Sequence, residues 1–363
     1  MSFGQLKPII GGERVETHEF PFAVYLSIET QPNWHAVCGG TLVSSRHIIT
    51  AGHCLYHAPS ASAVKVGYGS THIKKQMTAR AANYTIHPDF NPRTLFNDIA
   101  VIELDKPVVQ STMVHRIPLY FGSVDPGQVV TTMGWGVTSN SPGSHTVPVM
   151  NRVDLQVADP AMCRKVDDSF ESNNGPFICT GTQPGNKDEC NGDSGSPAII
   201  TLVSGKPRSV DSPAPLRAHS SLWGRYGTTA DMWLGKTTQA RGSSGGSSGG
   251  SRHARWWGRA VRAEARVSTG DMRLVALTSY GDNINHDTHP PCGDPTGFGF
   301  STHIGYYAGF LARATGMTAQ QLEEPVRIDR LATTRVSGAQ QQAACLNAML
   351  LPAVILVLLF INR

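Results

Sequence analysis

Between Ile9 and about Thr201, apolar residues arrive in short β-branched runs closed by turn formers, and no amphipathic helix interrupts them. Thr41–Thr50 (TLVSSRHIIT), Ile99–Leu104 (IAVIEL) and Gln128–Met133 (QVVTTM) are three such runs, bounded by Gly, Pro, Asn or Asp. β-Branched side chains pack well on a pleated, half-buried surface, whereas the bounding residues set turns. Many short strands at this spacing argue for an all-β sandwich or barrel. Composition points the same way. Only 16% of the 363 residues are charged, while Gly (37) and Pro (23) abound, which suits turns and strands better than long surface helices.

The pattern breaks after Thr201. Thr201–Arg273 holds twelve Lys/Arg against four Asp/Glu, a net +8, so the rest of the chain carries −4 beneath the overall +4. Within that tract Gly242–Ser251 (GSSGGSSGGS) has the composition of a flexible linker. Strand-like sequence resumes at Leu274–Tyr280, and Ile304–Ala314 spaces its apolar residues like one face of a helix. A polar, Gln-rich stem follows, then the continuous apolar run Ala348–Ile361.

Three motifs occur together and in order. Thr50-Ala51-Gly52-His53-Cys54 places a histidine after a strand. Asn97-Asp98-Ile99-Ala100-Val101 places an aspartate at the opening of an apolar strand. Cys190-Asn191-Gly192-Asp193-Ser194-Gly195-Ser196-Pro197 holds a serine between glycines. A serine hydroxyl is a weak nucleophile until a neighbouring base takes its proton. A neutral imidazole suits that task near pH 7, and a buried carboxylate fixes its tautomer and stabilises the imidazolium. Gly192 permits close approach of backbone to a reacting carbonyl, so the N–H groups of Gly192 and Ser194 can face a developing oxyanion.

With this order and spacing the chain resembles the trypsin/chymotrypsin family of serine endopeptidases over Ile9–Thr201 and Leu274–Ala314. The resemblance implies two six-stranded antiparallel β-barrels with a C-terminal helix and the active site in the inter-barrel cleft. It implies His53 as general base, Asp98 as its orienting partner and Ser194 as nucleophile, with Gly192 and Ser194 forming the oxyanion hole. Ile9-Ile10-Gly11-Gly12 is similar to the family's mature N-terminus, whose freed amino group pairs with the aspartate matching Asp193. Gly134-Trp135-Gly136 and Ser279-Tyr280-Gly281 match segments around the substrate cleft, the second pairing with extended substrate backbone as an edge strand does. Thr302, Ile304 and Tyr307 fit the start of the closing helix. Asp188, six residues before Ser194, matches the base of the primary pocket, where an aspartate receives Arg or Lys; Gly281 and Gly299 match its walls. Glu189 beside it departs from the family, and a second carboxylate there raises one pKa or alters the Arg/Lys balance.

The resemblance also pairs Cys38 with Cys54, Cys163 with Cys179, and Cys190 with Cys292, leaving Cys345 over. Such bridges imply an oxidising compartment; the rival reading is six buried thiols in a cytosolic protein. Leu55–His87 contains no Asp or Glu, so the calcium loop of some family members has no carboxylates here. Neither a metal nor an organic cofactor is expected. His35, His57, His72 and His87 read as solvated surface groups. Asn83-Tyr84-Thr85 is a glycosylation sequon, informative if the chain is secreted.

The expected organisation is a residual pro-segment at 1–8 and a protease domain at 9–316, divided at 118/119 between the barrels and interrupted by the 201–273 insertion. A stem (317–342) and a hydrophobic anchor signal (343–363) follow. No apolar run near Met1 resembles a signal peptide, and Pro8 precedes Ile9 where an activating cut would follow Arg or Lys. A gene reading truncated upstream, missing a signal and propeptide, would explain both. The insertion admits three readings: a polyanion-binding segment, a disordered surface insertion, or a retained intron, the last two favoured. In the tail Ser337-Gly338-Ala339, an eight-residue spacer and fourteen apolar residues fit a glycosylphosphatidylinositol signal better than a transmembrane helix, which needs about 20. The expected product is a monomeric, extracellular or cell-surface endopeptidase. Its partners are protein or peptide substrates and proteinaceous inhibitors; no nucleic acid is expected, and membrane contact comes through the tail alone. A catalytically silent homologue that binds proteins through the same cleft is the alternative.

Overall fold

The computed structural model describes residues 11–16, 18–141, 144–181, 187–203, 205–209, 271–287 and 290–326. Ile9, most of the 201–273 insertion, the distal stem and the apolar tail lie outside the described residues. The short strand β1 (Glu13–Arg14) is followed by β2 (Ala23–Gln31), β3 (Trp34–Leu42) and β4 (His47–Thr50). Helix α1 (Gly52–Tyr56) then precedes β5 (Val64–Tyr68), β6 (Met77–Ile86) and β7 (Ala100–Leu104). Strands β2-β3-β4-β7-β6-β5 close into an antiparallel barrel. Along β2 the burial pattern alternates, with Leu26 and Ile28 fully inside and Ser27 and Glu29 half-buried, the two-residue period of a one-sided strand. The sequon residue Asn83 lies exposed on β6.

Thr41–Thr50, read from sequence as one run, is a hairpin. The Ser44 hydroxyl accepts from the N–H groups of Arg46 (3.0 Å) and His47 (2.9 Å), turning the chain so that Thr41 pairs with Ile49. Local hydroxyl-to-backbone bonds of this kind compete with strand continuation.

The second half supplies β8 (Val129–Gly134), β9 (Asn151–Val157), helix α2 (Pro160–Cys163), β10 (Phe177–Gly181), β11 (Pro197–Val203) and β12 (Lys206–Pro207). After the insertion come β13 (Met272–Asn283) and β14 (Gly297–His303). Pairing runs β8-β9-β10-β14-β13-β11 and back to β8, a second closed six-stranded antiparallel barrel, with β1 beside β9 and β12 beside β11. Val130, Val153, Leu155, Ile178, Ile200 and Val275 form its interior. Thr201 pairs with Met272, so the insertion leaves and re-enters the ladder at one point. The barrel therefore closes whatever the length of the chain between them.

Helix α3 (Ala308–Thr315) begins later than the sequence suggests. Thr302 belongs to β14, and Ile304 donates its N–H to Val275 O (3.0 Å) before the chain turns at Gly305. α3 ends at Gly316, whose φ of +67° suits a left-handed C-terminal position that glycine alone occupies without cost. The segment read as a stem stays folded through Glu324. Thr318 and Gln321 form a capping box for helix α4 (Ala319–Glu323), Leu322 is buried, and its carbonyl accepts from Leu119 N (2.9 Å). Phe310, Leu311 and Leu322 join the core of the first barrel, so the C-terminal helices clamp the chain that leaves the second barrel onto the first.

Candidate active site

Asp98 is fully buried, and its carboxylate accepts three hydrogen bonds. His53 N donates to Oδ1 (2.7 Å), His53 Nδ1 lies 2.8 Å from Oδ2, and Ser279 Oγ donates to Oδ2 (2.5 Å). The backbone prepares this arrangement. Asn97 adopts φ +58°, a left-handed conformation that Asn tolerates, and its amide donates to Asp89 O (2.8 Å). Thr302 Oγ1 holds the Asp98 carbonyl at 2.9 Å. Two bonds from one histidine fix both its backbone and its ring, leaving Nε2 facing away from Asp98. Ser279 is the extra residue of a β-bulge, between the pairs Thr278–Ser301 and Tyr280–Phe300. Bulges re-aim side chains, and this one turns a hydroxyl onto Asp98.

Ser194 is half-buried on the loop before β11. Its carbonyl accepts from Gly39 N (2.8 Å) and lies 3.7 Å from the Cys54 sulfur, which is itself 3.9 Å from His53 Nε2. The serine backbone and the histidine ring thus meet the same disulfide. The Ser194 hydroxyl makes no hydrogen bond among the described residues; such contacts are commonly loose until substrate binds. Val137 N holds the Asn191 carbonyl at 2.8 Å. In a trans peptide the N–H points opposite to the carbonyl, so Gly192 N–H is turned away from Val137. Gly192 has φ +93° and Gly195 φ +73°, both in the region that favours glycine.

Asp193 is buried beneath this loop, accepting from Gly136 N (2.8 Å) and Cys190 N (3.1 Å). Burial pushes its carboxyl up to about 7, against the lowering effect of those two bonds. Ile9, its expected partner, lies outside the described residues. Asp188 accepts from Gly293 N (2.8 Å) and is pushed up to about 6, again chiefly by burial. Glu189 is 9% exposed and accepts from Thr278 Oγ1 (2.8 Å); burial first, then the neighbouring Asp188 and Asp193, raise it to about 8. Gly281 and Gly299 face each other across β13 and β14.

Tyr280 stacks on Phe300 (centroids 4.9 Å apart, planes at 9°) and donates its hydroxyl to Asp167 Oδ2 (2.8 Å). Burial and the adjacent carboxylate hold this phenol well above its ordinary range. Disulfides join Cys38 to Cys54, Cys163 to Cys179 and Cys190 to Cys292. The first brackets the His53 loop. The third is seconded by Asn140, which exchanges two hydrogen bonds of 2.9 Å with the Cys292 backbone. The Cys38, Cys54 and His53 ligand atoms cluster within 4.8 Å, but the two sulfurs are bonded to each other and offer no thiolate to a metal.

The sequence sets Ser279 in the cleft but carries no local sign of its bond to Asp98. Nor does it signal the Thr278 bond to Glu189 or the Tyr280 bond to Asp167. All three depend on cross-strand or loop register, for which no local motif exists.

Two closed six-stranded barrels, a histidine held by a buried aspartate and a serine on a glycine-flanked loop define the double-barrel class of serine hydrolases. The family model Trypsin matches residues 9–203, more than half of the chain, and the chain belongs to that family of serine endopeptidases. It is 36% identical to trypsin alpha-4 of Lucilia cuprina over 193 residues, covering 53% of this chain and 72% of that protein. It is 31% identical to the vitellin-degrading protease of Bombyx mori, covering 53% and 71%. Identity to cathepsin G of Mus musculus is also 31%, covering 54% and 73%. The three disulfides fit an extracellular member of the family.

Proposed function

We propose that this chain hydrolyses protein or peptide substrates after Arg or Lys, through an acyl-enzyme on Ser194. The observation that carries the reading is the fixed His53–Asp98 pair, with Nε2 presented beside the Ser194 loop. Ser194 Oγ attacks the scissile carbonyl while His53 Nε2 takes its proton. Asp98 holds the Nδ1 proton and stabilises the imidazolium. Negative charge gathers on the carbonyl oxygen and is met by the N–H groups of Gly192 and Ser194. His53 then protonates the leaving amine, and water enters by the reverse sequence to release the acid. Asp188 attracts the basic side chain between the glycine walls Gly281 and Gly299, while Ser279–Gly281 pairs with substrate backbone.

A new amino terminus at Ile9 would supply the cation that buried Asp193 lacks among the described residues, so the uncut chain is a zymogen in this reading. Secretion, surface attachment through the apolar tail, a monomeric state and inhibition by proteins that fill the cleft complete it. The second reading is a silent homologue that binds proteins through the cleft; Pro8 ahead of Ile9 favours it, since trypsin-like cutting there is blocked. The test is turnover of Arg, Lys, Phe and Ala peptide substrates by the full chain, cut at an engineered site ending at residue 8, against Ser194→Ala. Equality with that control overturns the enzyme; a preference for Phe overturns the role of Asp188.

A further inference from the structure

Glu189 is the least expected residue of the pocket. A carboxyl this deeply buried is costly to ionise unless a cation meets it. The acidic groups that face it are Asp188 and Asp193, and its one strong donor is the Thr278 hydroxyl. No ion pair to any of the three carboxylates exists among the described residues. Gly299 shows where the carboxyl points. A Cβ placed on Gly299 would lie 3.5 Å from Glu189 Oε2 and 2.9 Å from Thr180 Oγ1, whereas a Cβ on Gly281 would meet nothing nearer than 3.6 Å. The Gly299 Cβ position is thus crowded by the Thr180 hydroxyl and lies against the Glu189 carboxyl, which sets that carboxyl at the Gly299 wall. Asp188, the adjacent residue, accepts from Gly293 N (2.8 Å).

We propose that Glu189 is a second anionic contact for the substrate's basic side chain, so that the cation is bound between the Asp188 and Glu189 carboxylates. The inference rests on the Arg/Lys reading of the pocket and deepens it. A guanidinium presents five N–H donors in a planar fork and can serve two carboxylates at once; an ammonium presents three from one point. Arg is therefore favoured over Lys. Without a cation the three crowded carboxyls hold protons into the neutral range. An entering cation displaces those protons from Asp188 and Glu189, so its binding strengthens as pH rises from about 6 to about 8.

Glu189→Gln is the informative change. Its carbonyl still accepts from Thr278 and its volume is unchanged, while the charge is removed. Benzamidine, an aryl amidinium, is the probe, titrated by calorimetry into the cut full chain, Glu189→Gln and Asp188→Asn at pH 6, 7 and 8. The expected result is at least tenfold weaker binding to Glu189→Gln, a flatter pH dependence, and a reduced Arg-over-Lys ratio in kcat/KM. Binding within twofold of the unsubstituted protein, with the same pH profile, overturns the inference; if Asp188→Asn abolishes binding in that case, the Arg/Lys reading stands. Failure of the unsubstituted protein to bind benzamidine overturns both.

Discussion

Replacing residues 210–270 with a linker of about six residues should leave the fold intact and slightly strengthen it. The ladder pair Thr201–Met272 closes the barrel without them, and β12 still lies against β11. Closure entropy scales as (3/2)RT ln n, so cutting this connection from about sixty residues to six removes about 2 kcal/mol of folding cost. An opposing term arises because the same stretch lies inside the loop closed by Cys190–Cys292, whose sequence separation is 102. Shortening that loop to just under fifty lowers the disulfide's constraint on the unfolded chain by about 0.7 kcal/mol. The net expectation is a gain of about 1 kcal/mol. Urea unfolding of the oxidised full chain and the shortened chain measures it, with benzamidine binding as the check on the pocket. Loss of 2 kcal/mol or more, the size of a buried side chain lost from a core, would refute the reasoning by showing that the tract supplies core contacts.

Ser279→Ala removes one donor to Asp98 while leaving both His53 bonds, and steady-state kinetics should show kcat down about tenfold with KM little changed. An unchanged kcat would count against a role for the bulge. Gly136→Ala places a Cβ 2.5 Å from Asp193 Cγ and 2.7 Å from Oδ1, breaking the Gly136 N bond. Overpacking of this size costs about 1–3 kcal/mol, and thermal melts should show a drop of several degrees together with loss of turnover. The raised carboxyls fix the sign of a pH effect. Between about pH 4, where unfolded carboxyls titrate, and the folded values of about 6, 7 and 8, the native state holds more protons than the unfolded one. The contribution of these three carboxyls to stability therefore falls as pH rises across that window and levels off above it, opposed by His47, His87, His115 and His303, which burial holds below their ordinary pKa. Urea melts at pH 5 and pH 8 should differ less for Glu189→Gln than for the unsubstituted chain.

The parts of the site that sequence revealed are those encoded within a few neighbouring residues. His53 lies on α1 just after β4, Asp98 lies two residues before β7, and Ser194 sits in a glycine-flanked turn, so each motif carries its own local geometry. Strand content was legible because β-branched runs and turn formers alternate. Ser279 was harder to place, since its hydroxyl reaches Asp98 only through a bulge against β14 and a partner 181 positions away in sequence. The Thr278–Glu189 and Tyr280–Asp167 bonds are equally non-local. Helix α4 is a different case. Its Thr318-to-Gln321 capping box is a local signal, but the surrounding Gln-rich composition reads as a stem, and only Leu322 seated in the core reveals the helix.

The central claim is that His53 and Asp98 make Ser194 a nucleophile. Treating the chain, cut before Ile9, with a fluorophosphonate and locating the adduct by peptide mass spectrometry tests it directly. The account predicts one equivalent of label, on Ser194, lost in His53→Ala and slowed in Asp98→Asn. An unlabelled Ser194, or labelling that survives His53→Ala at the same rate, would contradict it.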